Sequence, residues 1–80
     1  MDLKAAVSIA KQQVNDLFAP ETPQNVRVEE FLYDDHLGVW SLTIGFALPE
    51  QVEDASAQAR RYKIIRVSEA GKSVLSVKDR

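Results

Sequence analysis

The sequence predicts an α+β fold in which one N-terminal helix packs on a four-stranded antiparallel meander sheet, in the order α-β-β-β-β. Three observations predict it: helical spacing of apolar residues near the N-terminus, alternating patterns in the remainder, and short links between most of those patterns. With 80 residues and 45% apolar content, the chain is expected to form a single domain over residues 1–80.

The predicted helix runs from Asp2 or Leu3 to Phe18. Its apolar residues recur with i, i+3, i+4, i+7 spacing and form one stripe: Leu3, Ala6, Val7, Ala10, Val14 and Leu17. Asp2 is placed to accept a hydrogen bond from a free backbone N–H as the N-cap. Pro20 and Pro23 cannot continue the helix and therefore end it.

The first two strands are predicted in "NVRVEEFLY" and "GVWSLTIGFALP", joined by the turn "DDHLG". The apolar phase of the first strand slips at Glu29 and Glu30, and a β-bulge there would restore it. The second strand alternates large and small residues over ten positions. Its large residues, predicted to face the helix, are Trp40, Leu42, Ile44 and Phe46, followed by Leu48.

The last two strands are predicted in "RRYKIIRVS" and "KSVLSVKD", after an eleven-residue loop "PEQVEDASAQA" over residues 49–59. The connection "EAG" is expected to close the hairpin in three residues, with Gly71 at positive φ. This register places Ile65 opposite Leu75, and pairing Ile44 with Ile65 joins the apolar faces. The sheet side of the predicted core is Val26, Val28, Phe31, Trp40, Leu42, Ile44, Phe46, Ile65, Val67, Leu75 and Val77.

Several functional classes are excluded on composition and motif. The chain has no cysteine, which excludes disulfides, thiolate catalysis and cysteine zinc sites. It has no catalytic-triad, H-E-x-x-H, P-loop or G-x-G-x-x-G pattern. Carboxylates meet the single histidine only at Asp34, Asp35 and His36, where turn chemistry accounts for them. We therefore expect a protein that is not an enzyme and has no cofactor or metal.

No apolar run is long enough for a membrane span or a clean signal peptide, and a cytoplasmic protein without membrane contact is expected. One helix can cover only one face of the sheet. The opposite face is therefore predicted to bind a partner, through Thr43, Gly45, Ala47, Tyr62, Ile64, Arg66, Val74 and Lys78. These observations predict a small interaction or accessory module that binds a protein partner, or itself, through that face or an edge strand.

Charge is distributed unevenly and supports an alternative. Residues 1–59 carry three basic and ten acidic side chains, a net −7, whereas residues 60–80 carry seven basic and two acidic, a net +5. The alternative is a binder of an anionic ligand or nucleic acid through Arg60, Arg61, Arg66 and Lys78. An overall acidic chain, with pI ≈ 5.3 and no basic recognition helix, argues against nucleic acid as the partner.

An alanine-containing helix followed by "GVWSLTIGF" and "YKIIRVSEAGKSVLSV" resembles the PepSY-like pattern, over roughly residues 1 to 78. In that pattern a Gly-Trp strand precedes a Tyr-x-Val/Ile strand and a turn ending in Gly. The matching positions are Gly38, Trp40, Tyr62, Ile64, Gly71, Val74 and Leu75. Gas vesicle accessory proteins have a similar order of elements, but they are more acidic, and the basic segment "RRYKIIR" does not match that character. The resemblance implies a non-catalytic module that binds or inhibits other proteins.

Overall fold

The computed structural model describes residues 1–49 and 60–80. Its elements are the helix α1 (Leu3–Leu17), a 3-10 turn (Ala19–Glu21), and the strands β1 (Gln24–Asp34), β2 (Val39–Ala47), β3 (Arg61–Ser68) and β4 (Val74–Asp79). The strands form one sheet in the order β1-β2-β3-β4, and each neighbouring pair is antiparallel. The predicted fold is confirmed. Apart from Pro49, the predicted loop over 49–59 lies outside the described residues.

The helix begins as the sequence predicts, because the Ala5 N–H donates to Asp2 Oδ1 at 2.9 Å. It buries three small residues, Ala6, Ala10 and Val14, which let its axis lie close to the sheet.

The C-terminal end of α1 differs from the prediction. Leu17, expected in the core, is 49% exposed. Phe18, just after the last turn, packs against the core instead, with its ring centroid 4.9 Å from that of Phe46. The 3-10 turn that contains Pro20 then redirects the chain towards β1.

The core lies between α1 and the two central strands. Every fully buried strand residue is on β2 or β3, namely Leu42, Ile44, Phe46, Ile65 and Val67, with Leu48 just after β2. Residues of β1 and β4 reach this core only as partly buried neighbours. The helix therefore covers the middle of the sheet and leaves both edge strands less covered.

The predicted bulge in β1 is confirmed. Val28 lies opposite Ile44 and Glu30 lies opposite Thr43, so that Glu29 is an extra residue in the strand. Phe31 then lies opposite Leu42 on the helix side, as predicted, but it is not a core residue. More than half of its surface is exposed, because β1 is an edge strand with a neighbouring strand on only one side in the described sheet.

The predicted register between β2 and β3 is wrong by two residues. Leu42, rather than Ile44, lies opposite Ile65, and Ile44 lies opposite Lys63. Because the shift is even, every side chain keeps its predicted face. The end of the sheet at Trp40 therefore gains Val67 as the cross-strand neighbour.

The predicted register between β3 and β4 is also wrong. Ile65 lies opposite Val77, Val67 lies opposite Val74, and Leu75 is the extra residue of a bulge in β4. Val74 consequently packs against the core, and Leu75 is exposed, the reverse of the prediction.

The cause is the turn between these strands, which is longer than three residues. The Ser68 N–H donates to Ser73 O at 2.8 Å, and the Lys72 N–H donates back to Ser68 O at 2.9 Å. The sequence predicted a positive φ at Gly71, but the residue with positive φ in this turn is Lys72 (51°). The Gly71 N–H instead donates to Ser68 Oγ at 3.0 Å, which holds the wider turn together.

Candidate protein-interaction surfaces

The outer face is the side of the sheet opposite α1, and it holds most of the predicted binding residues. Cross-strand pairs share a face, and Thr43, Ile64 and Lys78 form one continuous row across β2, β3 and β4. Further predicted residues lie beside this row: Gly45 opposite Tyr62, Arg66 opposite Ser41, and Ala47 opposite Gln24. Seven of the eight predicted residues therefore share one surface.

Val74 is the exception. It was predicted on the outer face, but it lies opposite Val67 and packs against the hydrophobic core. The bulge at Leu75 turns Val74 to the helix side, because an extra residue reverses the alternation of a strand beyond it. Val74 is therefore withdrawn from the candidate site.

A salt bridge covers the middle of the outer face. Arg60 Nη2 lies 3.3 Å from Glu29 Oε1 and donates to Asn25 O at 3.0 Å. Both side chains rest on Gly45: a Cβ there would lie 2.8 Å from Arg60 Nη2 and 2.9 Å from Glu29 Oε1. Thr43 beside them is only 8% exposed. The part of the predicted binding face around Gly45 is thus already covered by the chain's own side chains.

A second salt bridge crosses the same face. Arg80, after the end of β4, lies 3.0 Å from Glu30 Oε1 on β1. Its guanidinium also sits over the Tyr62 ring, 5.4 Å from the centroid, in a cation–π contact. Tyr62 and Ile64 are half-buried as a result. Over β2 and β3 the outer face is therefore partly covered by charged side chains of the same chain.

The exposed apolar surface lies instead on β1, at three consecutive residues that we call the β1 patch. They are Phe31, 56% exposed; Leu32, 68% exposed; and Tyr33, 38% exposed. Leu37 in the following turn is also largely exposed. Phe31 and Tyr33 face the helix side and Leu32 faces the outer side, because their partners on β2 alternate. The patch thus offers apolar side chains on both faces of a sheet edge.

Sequence reasoning missed this patch because it assigned Phe31 to the core by phase. A signal was present, since three adjacent large apolar residues in a strand must place at least one on each face. In an edge strand neither face is fully covered. The run "FLY" therefore indicates exposure once β1 is placed at an edge.

The end of the sheet that carries the patch is well ordered by contacts. The Tyr33 and Trp40 rings are tilted against each other with centroids 4.7 Å apart. Trp40 Nε1 donates to Glu69 Oε2 at 3.3 Å, and the Met1 ammonium lies 3.2 Å from Glu69 Oε1. Trp40 packs against the core, as predicted. These contacts link Tyr33 of the β1 patch, through Trp40, to Glu69 and the N-terminus.

The "DDH" turn is accounted for by turn chemistry. Asp34 Oδ1 accepts hydrogen bonds from the His36 and Leu37 N–H groups, each at 3.0 Å. Within residues 1–49 and 60–80, no group of three or more His, Asp or Glu side chains is placed to hold a metal ion.

Three of the C-terminal basic residues are engaged by carboxylates of the same chain. Arg60 and Arg80 pair with Glu29 and Glu30 as described, and Lys63 pairs with Asp79. The hydrogen bond from Lys63, together with its charge, lowers the pKa of the Asp79 carboxyl. The positive charge of residues 60–80 is therefore partly neutralised within the fold.

An open groove of about 430 Å³ runs between α1 and the start of β4. It is lined by Ser8, Ile9, Gln12, Gln13, Asp16, Lys72, Ser73 and Val74. Gln12 already donates to Asp16 at 2.8 Å, so its polar groups are partly satisfied within the helix. The groove offers no cluster of chemistry-bearing groups.

No family model matches the chain, and neither the curated proteins nor the solved structures contain a match to it. Within the part of the chain that the structure describes, no helix is both long and apolar enough to cross a membrane.

Proposed function

We propose that this protein is a non-enzymatic interaction module that binds a protein partner through the edge strand β1. The observation that carries the proposal is the exposure of three adjacent large apolar residues, Phe31, Leu32 and Tyr33, on a strand with an unpaired edge in the described sheet. The PepSY-like resemblance implies a role of the same kind.

The physical argument concerns what an edge strand normally avoids. An exposed apolar edge invites pairing with another strand, and proteins usually protect such edges with charges, proline or bulges. In β1 the bulge at Glu29 and the charges of Glu29 and Glu30 precede the β1 patch, and Asp34 follows it. The three apolar residues between these charges have the arrangement that strand addition uses: backbone hydrogen bonds for affinity and side chains for specificity.

The outer face contributes less to this proposal than the sequence suggested. Binding there would have to displace the salt bridges of Arg60 and Arg80, which already cover Gly45 and Tyr62. The β1 patch requires no such displacement, because its side chains are exposed in the isolated chain. We therefore place the working surface on β1.

Site-specific photocrosslinking tests this placement. A photoreactive phenylalanine analogue is introduced at Leu32, and in a matched protein at Asn15, an exposed position of α1. Both are irradiated in an extract of the cells that make the chain and, separately, as pure protein. We expect a discrete adduct from position 32 and none from position 15.

Two further substitutions locate the binding surface. Phe31→Lys should abolish the adduct, whereas Tyr62→Ala on the outer face should leave it unchanged. An adduct lost with Tyr62→Ala but kept with Phe31→Lys would move the site to the outer face. Equal adducts from positions 32 and 15, or none from either, would contradict the proposal.

A further inference from the structure

Both edge strands of the described sheet carry an exposed large apolar residue. β1 carries the β1 patch, and β4 carries Leu75, which its bulge leaves 56% exposed. An apolar residue at each edge raises the question of whether the two edges fit each other in neighbouring copies of the chain.

Strand direction permits this fit. In a four-stranded meander β1 and β4 run in opposite directions, because direction reverses at each of the three antiparallel pairings. A second copy displaced sideways along the sheet therefore brings its β1 antiparallel to β4 of the first. The helices of both copies then lie on the same side of one continuous sheet.

The side chains of the two edges are complementary in this arrangement. The row Glu30, Thr43, Ile64 and Lys78 crosses the outer face of one copy from edge to edge. Extending the row places Lys78 beside Glu30 of the second copy, both on the outer face, where Glu30 also pairs with Arg80 of its own chain. Opposite charges directly across an antiparallel pair are favourable.

The next positions match as well. Counting from Lys78, Val77 meets Phe31 of the second copy on the helix side, and Ser76 meets Leu32 on the outer side. The bulged Leu75 then lies beside Tyr33 of the second copy. One contact thus covers the β1 patch together with Leu75.

A symmetric contact between two β1 strands is less favourable. Centring it on Leu32, so that the β1 patches meet, puts Glu30 of each copy opposite Asp34 of the other. Two like-charge pairs directly opposite each other are destabilising. Charge therefore selects β4, with Lys78, over a second β1 as the strand that joins β1.

We infer that copies of this chain associate head to tail, with β4 of one pairing against β1 of the next. The inference rests on the proposed function, since it names a second copy as the partner of β1. Such a contact is heterologous and leaves one free edge at each end, so it forms open chains of copies rather than closed dimers.

The contact is expected to be weak. A fully exposed aromatic side chain presents roughly 150–250 Å², so at the observed exposures the β1 patch offers on the order of 300 Å². A stable complex buries about 800 Å² per partner, of which the patch is less than half. The other favourable contributions to the free energy of association come from hydrogen bonds between the two edge strands and from the Lys78–Glu30 pair. Association should therefore increase with concentration and decrease with salt.

Two blocked variants test the inference by sedimentation velocity. Phe31→Lys blocks only the β1 edge, and Leu75→Lys blocks only the β4 edge; both positions are exposed, so folding should be preserved. We expect the wild type to grow beyond a dimer with concentration and each variant to remain a 9.0 kDa monomer. Mixed in equal amounts, the two variants should form a dimer and nothing larger, because only one compatible pair of edges remains.

A charge exchange provides a second measurement if either variant misfolds. Glu30→Lys and Lys78→Glu should each weaken association about tenfold, and a mixture of the two should restore it because each copy then meets the opposite charge. Lys4→Glu, on the exposed side of α1, is the matched charge control and should change association little.

The outcomes separate this inference from the proposed function. If the wild type stops at a dimer and the Leu75→Lys variant is also a dimer, the head-to-tail contact is wrong. β1 would then remain a binding edge. A wild type that stays monomeric at every concentration would overturn the head-to-tail contact too. In that case an adduct between position 32 and a different protein would still support the proposed function, and no adduct would defeat both.

Discussion

Gly45→Ala tests whether the Arg60–Glu29 pair depends on the absence of a side chain at position 45. In a strand interior, alanine is more favourable than glycine by about 0.5–1 kcal/mol. Here the added Cβ would lie 2.8 Å from Arg60 Nη2 and 2.9 Å from Glu29 Oε1, too close for either to stay. Both atoms end flexible side chains, so the pair should separate while the backbone keeps its place.

The size of the loss follows from what the pair contributes. Arg60 makes one hydrogen bond to Glu29 and one to Asn25 O. Hydrogen bonds to charged groups contribute about 1.5–3 kcal/mol when shielded. The two side chains are 18% and 30% exposed, and solvent screening reduces this to about 1–2 kcal/mol. After the alanine gain is subtracted, Gly45→Ala should lower the free energy of unfolding by about 0.5–1 kcal/mol.

A second background reverses the expected sign. In a Glu29→Ala protein the carboxylate is absent and Arg60 is held only by its hydrogen bond to Asn25 O, so Gly45→Ala should then stabilise by up to about 0.5 kcal/mol. Urea unfolding followed by Trp40 fluorescence measures both effects. With a slope of about 1 kcal/mol/M, the midpoint should fall by about 0.5–1 M in the first background and rise by up to about 0.5 M in the second.

The matched control is Gly71→Ala, whose Cβ would lie nearest to the side chains of Ser73 and Ser68. Its effect should be the same with and without Glu29, because the two sites share no contact. The reasoning is refuted if Gly45→Ala shifts the midpoint by the same amount and in the same direction in both backgrounds.

Three further predictions concern the N-cap of α1, the bulge in β4 and the Lys63–Asp79 ion pair. Asp2→Ala should lower the free energy of unfolding by about 1 kcal/mol in urea because α1 loses its N-cap, whereas Asp2→Asn should change it by only a few tenths; equal losses would contradict the cap. Val74→Asp should destabilise by more than about 2 kcal/mol, since it places a charge against the core, and the exposed Leu75→Asp by less than about 0.5 kcal/mol; the opposite ranking in urea would restore the register predicted from sequence. Because Lys63 lowers the pKa of Asp79 below its ordinary value of 3.8, the pair stabilises the fold above that pH and ceases to do so as pH falls through the lower folded pKa. Asp79→Asn should therefore be less stable than wild type at neutral pH and equal to it in strong acid, and a difference that persists in acid would contradict this origin.

The element order could be predicted from sequence because it depends on local patterns. The helix stripe around Ala6, Ala10 and Val14 and the alternation of β2 are independent of what lies across the fold. The bulge at Glu29 was also predictable, since Glu29 and Glu30 in succession would otherwise force a carboxylate inward. Burial has one favourable solution in each of these cases.

The register of β4 could not be predicted, because here the apolar pattern allows two solutions. Val74 and Leu75 are both apolar, so either can face the core and the pattern expresses no preference. The observed register accompanies a turn longer than three residues, in which the Ser68 N–H donates to Ser73 O and the Ser68 hydroxyl accepts from the Gly71 N–H. The length of this turn, which the pattern of apolar residues does not show, decides which residue is exposed at the edge.

The covering of the outer face was beyond sequence reasoning because its partners are distant in the chain. Arg60 and Glu29 are 31 residues apart and meet over Gly45 only after β1, β2 and β3 have paired. Alternation indicates that the face holds small residues. It cannot indicate that long charged side chains from elsewhere will lie across them.

The bulges at Glu29 and Leu75 together determine which surfaces the protein offers. In β1 the bulge at Glu29 places Phe31 and Tyr33 on the helix side, at an edge that α1 covers less than the central strands. In β4 the bulge at Leu75 sends Val74 inward and leaves a leucine exposed at the opposite edge. A regular β4 would have placed that leucine on the helix side of the sheet, opposite Val67. The same irregularity that defeats the sequence-based register therefore supplies an apolar side chain for the proposed contact, and removing the bulge should weaken association even if the fold is kept.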